Sequence, residues 1–263
     1  MDEKIIIAIS VPISIFLVAV LIGLAISGYK WGIPPFKFLY ERRMKKMDGN
    51  DSKFDLDKVD ALKDSPLKGK RSLCLGSSVT VGQSAMLVSF ADYLGKRDGA
   101  IVTKEAVSGT PLMDTGELSY VSRLKNKVDV NSKFDLAIVQ LSTNDVWCDC
   151  SLGEFSDNEK TTYGAITFIV NYIKEHFKCP VMFYTSPYFD CEKYVKMVKD
   201  LNEHKEELGI GIIDLFNNKE FNNITKDERA LYMADPVHPT KAGYLLWWLP
   251  VFEEEIIKYL NIK

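Results

Sequence analysis

Two short stretches of this sequence hold the residue types of a nucleophile and its base. The first, Gly76-Ser77-Ser78-Val79-Thr80-Val81-Gly82, follows an apolar run. A turn of small residues after a strand can expose a serine hydroxyl, here Ser78, and aim backbone N–H groups at one point. The rival reading is a phosphate-binding loop, but the Gly-Lys-Ser/Thr ending of a P-loop is missing. The second, Asp235-Pro236-Val237-His238-Pro239-Thr240, lies near the C-terminus. At this spacing a turn folds the Asp235 carboxylate onto one imidazole nitrogen of His238. The other nitrogen stays free to face a nucleophile. Prolines on both sides stiffen the segment. The bland alternative is a helix-capping turn with an incidental histidine. The chain has three histidines, and His176 and His204 sit in charged helical stretches that read as solvated.

Two further stretches offer donors. In Ala106-Val107-Ser108-Gly109-Thr110 the glycine permits close backbone approach to a ligand, or is an ordinary turn residue. In Leu141-Ser142-Thr143-Asn144-Asp145 the Asn144 amide can point at a developing oxyanion, or can close an Asx-turn.

The stretches around Ser78, Gly109 and Asn144 each stand at the end of an apolar run, and the one around His238 stands just before the last helix. Runs at 73–75, 101–107, 136–141, 181–184 and 210–215 read as strands, and their near-continuous apolar character predicts a sheet covered on both faces. Between them, Tyr163, Ile166, Ile169, Val170, Ile173 and Phe177 recur at helical spacing, as do Tyr194, Val198 and Leu201. The last helix carries Leu245, Trp248, Leu249, Phe252, Ile256 and Tyr259, and Pro250 should kink or split it. Alternating strands and helices imply an α/β fold, a parallel sheet with right-handed crossovers. Ligands of such sheets bind beyond the carboxyl ends of the strands, where the stretches around Ser78, Gly109 and Asn144 fall.

Residues 5–27 are uncharged and strongly apolar, and as a helix they reach ~34 Å, enough to cross a bilayer core. A cleaved signal peptide would have a basic start and a shorter apolar run. Residues 1–28 therefore read as an uncleaved single-pass membrane anchor. Lys30, Lys37, Arg42, Arg43, Lys45 and Lys46 follow it. The positive-inside rule then puts the rest of the chain in the cytoplasm, whereas surface-ester chemistry suits the other side, and both sides stay open. Trp31, Phe36, Phe38 and Tyr40 can form an interfacial aromatic belt or part of a linker. Residues 29–70, broken by Pro34-Pro35 and the run 48–52, read as a stalk with a short helix over 54–62. Residues 71–263 form the remaining domain. A net charge of −3 gives no polycationic signature, so no nucleic-acid partner is expected. Cys74, Cys148, Cys150, Cys179 and Cys191 are too few and too unevenly placed for a disulfide framework or a zinc site.

Taken in order, the four stretches resemble the blocks of the SGNH/GDSL-like hydrolase (lipase/acylhydrolase) superfamily, over about residues 72–260. Gly76-Ser77-Ser78 resembles the Gly-Asp-Ser block, with Ser78 at the nucleophile position. Gly109 matches the glycine of the second block, Asn144 the asparagine of Gly-x-Asn-Asp, and Asp235 to His238 the Asp-x-x-His block. Two positions depart: Ser77 replaces the usual Asp, and Ser142 the usual Gly. The resemblance implies a three-layer α/β/α flavodoxin-like fold with about five parallel strands, and neither metal nor organic cofactor. It also implies a catalytic Ser78, Asp235 and His238, with an oxyanion hole built from the N–H groups of Ser78 and Gly109 and the side chain of Asn144. The expected activity is ester hydrolysis through an acyl-enzyme, on small acyl esters such as O-acetyl groups on carbohydrate. Trp147 can stack on a sugar ring or pack on a neighbouring loop. An O-acyltransferase on the same fold and a non-catalytic membrane-anchored interaction module are the competing readings.

Overall fold

The computed structural model describes residues 3–148 and 150–262. Met1, Asp2, Asp149 and Lys263 lie outside the described residues, as do the side chains of residues 3–12 and Trp31. The chain divides into two compact units, 1–47 and 48–263.

The first unit holds α1 (Glu3–Trp31) and α2 (Lys37–Lys45). An 18-residue window of α1, Ile13–Lys30, has a mean hydropathy of 2.0, apolar enough to cross a membrane. Arg43 lies over the rings of Tyr29 and Tyr40, 5.1 and 5.3 Å from their centroids. Of the aromatic residues expected at an interface, Phe38 is exposed and Tyr40 is buried.

The second unit is built on five parallel strands in the order β2-β1-β3-β4-β5. They are β1 (Arg71–Gly76), β2 (Ile101–Ala106), β3 (Leu136–Gln140), β4 (Val181–Tyr184) and β5 (Gly211–Ile213). The helices are α3 (Ser78–Val81), α4 (Phe90–Asp98), α5 (Tyr120–Asn126), α6 (Asn144–Trp147), α7 (Thr162–His176), α8 (Glu192–Leu208), α9 (Lys219–Asn222), α10 (Lys226–Tyr232) and α11 (Leu249–Leu260). Alternate strand residues feed two cores, because successive side chains of a strand point to opposite faces. Leu73, Leu75, Ala137, Val139, Val181 and Phe183 pack with α5, α7 and α8. Cys74, Leu136, Ile138, Met182, Tyr184 and Ile213 pack with α4, α11 and the segment before α11. This is the three-layer α/β/α architecture.

The final helix neither breaks nor simply bends at Pro250. Gly243–Trp248 forms a π-helical stretch that passes into α11, with Pro250 in the first turn of the α-helical part. Proline has no N–H to give the preceding turn, and the widened turn absorbs that loss.

The expected stalk is divided. From Asp48 onward the chain belongs to the sheet unit. Asn50 donates from Nδ2 to the Ser84 carbonyl (2.8 Å) and accepts from the Lys241 N–H (3.0 Å). The Tyr93 hydroxyl donates to the Phe54 carbonyl at 2.6 Å. Lys241 also pairs with Asp55. Polar composition suggested a solvated linker, but these side chains and carbonyls have buried partners. Nor is there an α-helix over 54–62. Two 3₁₀ turns, Ser52–Phe54 and Leu56–Lys58, flank Asp55, whose extended backbone (φ −66°, ψ 150°) separates them.

Candidate active site

Ser78 opens α3 immediately beyond β1. The turn that exposes it is held by Gln140, the last residue of β3. Its Oε1 accepts from the Ser77 N–H (2.9 Å) and the Thr80 hydroxyl (2.9 Å). Gly76 must lack a side chain here, since a Cβ would lie 1.6 Å from Thr80 Oγ1. Gly82 ends α3 at φ +80°, and a Cβ there would meet the Val88 carbonyl at 2.3 Å. Small residues around the serine are thus a steric requirement of the turn.

His238 reaches this turn from 160 residues away, with Nε2 2.7 Å from Ser78 Oγ. The backbone around it is fixed by a bridge between Met233 and Pro239 and by the Ala234 N–H donating to the His238 carbonyl at 2.9 Å. Asp235 Oδ1 accepts the N–H groups of Val237 and His238, both at 2.9 Å. His238 Nδ1 lies 2.8 Å from Asp235 Oδ2. With Nδ1–H donating to the carboxylate, Nε2 carries the lone pair that accepts the serine proton. Capping of the following helix falls to Thr240, whose Oγ1 accepts from the Gly243 N–H at 3.2 Å, so the histidine is not an incidental part of a cap. Burial alone would raise the pKa of Asp235. The His238 side chain, its charge and the two backbone N–H groups outweigh it and hold the carboxyl below its usual range.

Gly109 follows β2 in the left-handed region, φ +79°, with open space where a Cβ would stand. It borders a groove of about 340 Å³ that Thr110, Thr115 and Leu118 also line. Asn144 begins α6 and donates from Nδ2 to the Thr110 carbonyl at 3.0 Å, while its backbone N–H donates to Ser142 Oγ at 3.1 Å. The side chain therefore does not close an Asx-turn. One of its two amide N–H groups ties α6 to the loop after β2; the amide carries a second, and Nδ2 lies 3.5 Å from Ser142 Oγ, a long contact. Both family departures are buried: the Ser77 hydroxyl is 3.3 Å from Gln140 Oε1, and the Ser142 hydroxyl donates to the Thr110 carbonyl at 3.2 Å.

Three supporting residues were given no role by the sequence. Gln140 had a signal, a single polar residue ending an apolar strand. Asp145 also had one, standing next to Asn144. It is fully buried and accepts from the N–H groups of Leu112 (2.7 Å) and Met113 (3.2 Å) and from the Thr162 hydroxyl (3.1 Å). Arg123, one of several basic residues on or just after α5, had none. Its guanidinium donates to the Gly76 carbonyl at 2.7 Å.

Trp147 is 66 % exposed, on the same short helix as Asn144. Lys193 Nζ holds the loop behind it, donating to the carbonyls of Asp145 (2.8 Å) and Cys150 (2.7 Å). His204 is half-buried and stacks on Phe155 at 4.2 Å, unlike the exposed His176. The five cysteines are free, and burial pushes the Cys74 thiol up to about 12. Among the described residues no group of three His, Cys, Asp or Glu side chains is placed to hold a metal ion.

A profile of the GDSL-like lipase/acylhydrolase family matches residues 74–246, well over half of the chain. Among curated proteins no sequence match was found. Solved structures share the fold. A protein from Lactobacillus plantarum is 18 % identical with a TM-score of 0.60, over 74 % of this chain and 97 % of that one. A G-D-S-L family protein from Desulfitobacterium hafniense is 16 % identical (TM-score 0.53; 71 % and 99 %). A variant of an acetyl-xylooligosaccharide esterase from Geobacillus stearmophilus is 18 % identical (TM-score 0.51; 72 % and 94 %).

Proposed function

Because the chain belongs to the GDSL-like lipase/acylhydrolase family, we propose that it is a serine ester hydrolase working through an acyl-enzyme, with Ser78 as nucleophile. The observation that carries this reading is the 2.7 Å approach of Ser78 Oγ to His238 Nε2, with the opposite ring nitrogen on Asp235. Ser78 Oγ attacks the ester carbonyl carbon and its proton passes to Nε2. The carbonyl π pair moves onto oxygen. That oxyanion is met by the N–H groups of Ser78 and Gly109 and the second amide N–H of Asn144. On collapse the C–O bond to the alcohol breaks, and the alcohol takes the proton from Nε2. Water then attacks the acyl group, yields its proton to Nε2, and Ser78 leaves with that proton as the acid is released. Asp235 stays ionised throughout, because its carboxyl is held below the usual range, and it stabilises the imidazolium.

The substrates proposed are small acyl esters, including O-acetyl groups on carbohydrate. An exposed Trp147 beside Asn144 supports this reading, since an indole face stacks well on a sugar ring. The acetyl-xylooligosaccharide esterase among the solved structures acts on that class. We propose further that α1 anchors the chain in a membrane without being cleaved, on the ground of its length and hydropathy.

The test is turnover of p-nitrophenyl acetate. Ser78→Ala and His238→Ala should each lower kcat by about 10³–10⁶, and the wild-type protein should label at Ser78 with a fluorophosphonate. Near wild-type rates in either variant would remove the mechanism. A wild-type protein that neither turns over nor labels would be a non-catalytic module. Transfer of the acyl group to an added alcohol in preference to water would make it an acyltransferase.

A further inference from the structure

Arg123 is 1 % exposed, and a cation so placed is costly unless its surroundings satisfy it fully. Here they do. Nε donates to the Leu118 carbonyl at 2.9 Å. Nη1 donates to the carbonyl and the carboxylate of Glu105, both at 3.0 Å. Nη2 donates to the Gly76 carbonyl at 2.7 Å and to Thr110 Oγ1 at 3.3 Å. A guanidinium has five N–H donors, and each has an acceptor.

The acceptors are not scattered through the core. Gly76 is the last residue of β1, two before Ser78, and its carbonyl also accepts from the Val107 N–H at 3.3 Å. Thr110 directly follows Gly109, and its own carbonyl accepts from Asn144 and Ser142. One nitrogen of Arg123 therefore bridges the peptide that leads into the nucleophile turn and the residue that follows Gly109. The two backbone N–H groups assigned above to the oxyanion, those of Ser78 and Gly109, hang on segments that this atom joins, beside the Val107 N–H bond to Gly76 and the ties of Gln140, Ser142 and Asn144. Packing alone would not need such a device, because a methionine or leucine fills similar volume without a charge to satisfy.

We propose that Arg123 is a positioning residue that sets the separation of the Ser78 and Gly109 N–H groups. The inference rests on the esterase reading of the same site. Oxyanion donors must match the tetrahedral oxygen, so a small change in their separation acts on the transition state rather than on ester binding. The planar fork matters because Nε and Nη1 are held by Leu118 and Glu105, which fixes the plane and with it the place of Nη2; a lysine ammonium keeps the charge without that hold.

The experiment compares wild type, Arg123→Lys, Arg123→Met and Thr110→Val on p-nitrophenyl acetate. Fluorophosphonate labelling counts competent sites, so that kcat is expressed per labelled site, and thermal melting is followed alongside. Arg123→Lys and Arg123→Met should lower kcat per site by about 10–100-fold with KM within about twofold. Thr110→Val removes one acceptor and should cost about threefold. It remains decisive if the arginine variants fail to fold. A merely structural arginine gives a different pattern, with fewer labelled sites and a lower melting temperature but unchanged kcat per site, and that pattern overturns the proposal. An unchanged kcat per site in Thr110→Val overturns it as well. If wild type and Ser78→Ala are equally inactive, the esterase reading fails. If wild type is active and the arginine and threonine variants match it per site, only the positioning role falls.

Discussion

Two pairs of acidic side chains stand at opposite ends of the sheet in different company. At the carboxyl ends of the strands, Asp235 faces His238 and Asp145 faces backbone N–H groups and hydroxyls. At the amino ends, Asp98 on α4 is near enough to Glu253 on α11 to disfavour the charge of Glu253. Ser65 donates to Asp98 Oδ1 at 2.7 Å, and the raised Glu253 carboxyl is the hydrogen-bond partner that Asp98 faces on α11. Glu253 lies 3.2 Å from Arg97 Nε without hydrogen-bond geometry. The outcomes separate accordingly. The Asp235 carboxyl is held below its usual range by His238 against the effect of burial. Burial keeps the Asp145 carboxyl raised even though several donors point at it. Burial first, and Asp98 second, push the Glu253 carboxyl up to about 7. At Asp235 the histidine and two backbone donors outweigh burial, whereas at Asp145 and Glu253 burial wins over the donors and over Arg97. The carboxyl held low is the one on which the proposed chemistry relies as an anion.

The largest effect should come from taking the anion out of the first pair. Asp235→Asn keeps the shape but presents an amide to His238 Nδ1, which favours the wrong tautomer. A fall in kcat of about 10⁴ is expected on p-nitrophenyl acetate, with fold and melting temperature little changed. A loss of tenfold or less would mean that the backbone around 233–239 orients His238 without help from the carboxylate.

Asp145→Ala should act mainly on stability. It leaves the Leu112 N–H without its buried acceptor and opens a small void, costing roughly 2–4 kcal/mol in urea unfolding. Turnover per labelled site should drop about tenfold, because the segment 110–113 loses its tether to β3. Full activity in a destabilised variant would separate the two carboxyl-end acids into one that serves chemistry and one that serves folding alone.

Local pattern carried much of this architecture. Strand β4 spans the residues that its apolar run marked, and the α/β class followed from alternation that needs no knowledge of contacts. The meeting of Ser78, Asp235 and His238 was legible because each lies in a short, chemically distinctive stretch at an element end. Arg123 and Gln140 were not, because what they do depends on partners 47 and 63 residues away. A buried arginine has the same one-dimensional signature as a solvated one. The stretch 48–70 was misread for a related reason. Its Asp, Gly, Asn and Ser residues look like solvated linker, yet Asn50 and Ser65 spend their side chains on buried partners in the sheet unit.

The smallest effect, and the one that tests the amino-end pair by itself, concerns pH. Folding raises the Glu253 carboxyl from 4.5 to about 7, so between those values the folded chain binds more protons than the unfolded one. Stability from this group is fully present below 4.5 and is lost as pH rises through about 7. The loss amounts to about 1–3 kcal/mol. Glu253→Gln keeps a neutral side chain at every pH. The variant should melt roughly 2–6 °C higher than wild type at pH 8, with little difference at pH 4.5, and its kcat should stay within about twofold because the substitution lies at the end of the sheet away from Ser78. Thermal melts at the two pH values decide it. A variant that melts lower at pH 8 would show that the ion pair with Arg97 outweighs the repulsion from Asp98. The amino-end acids would then belong with Asp235, as a carboxylate held by a cation, and the contrast between the two ends would collapse.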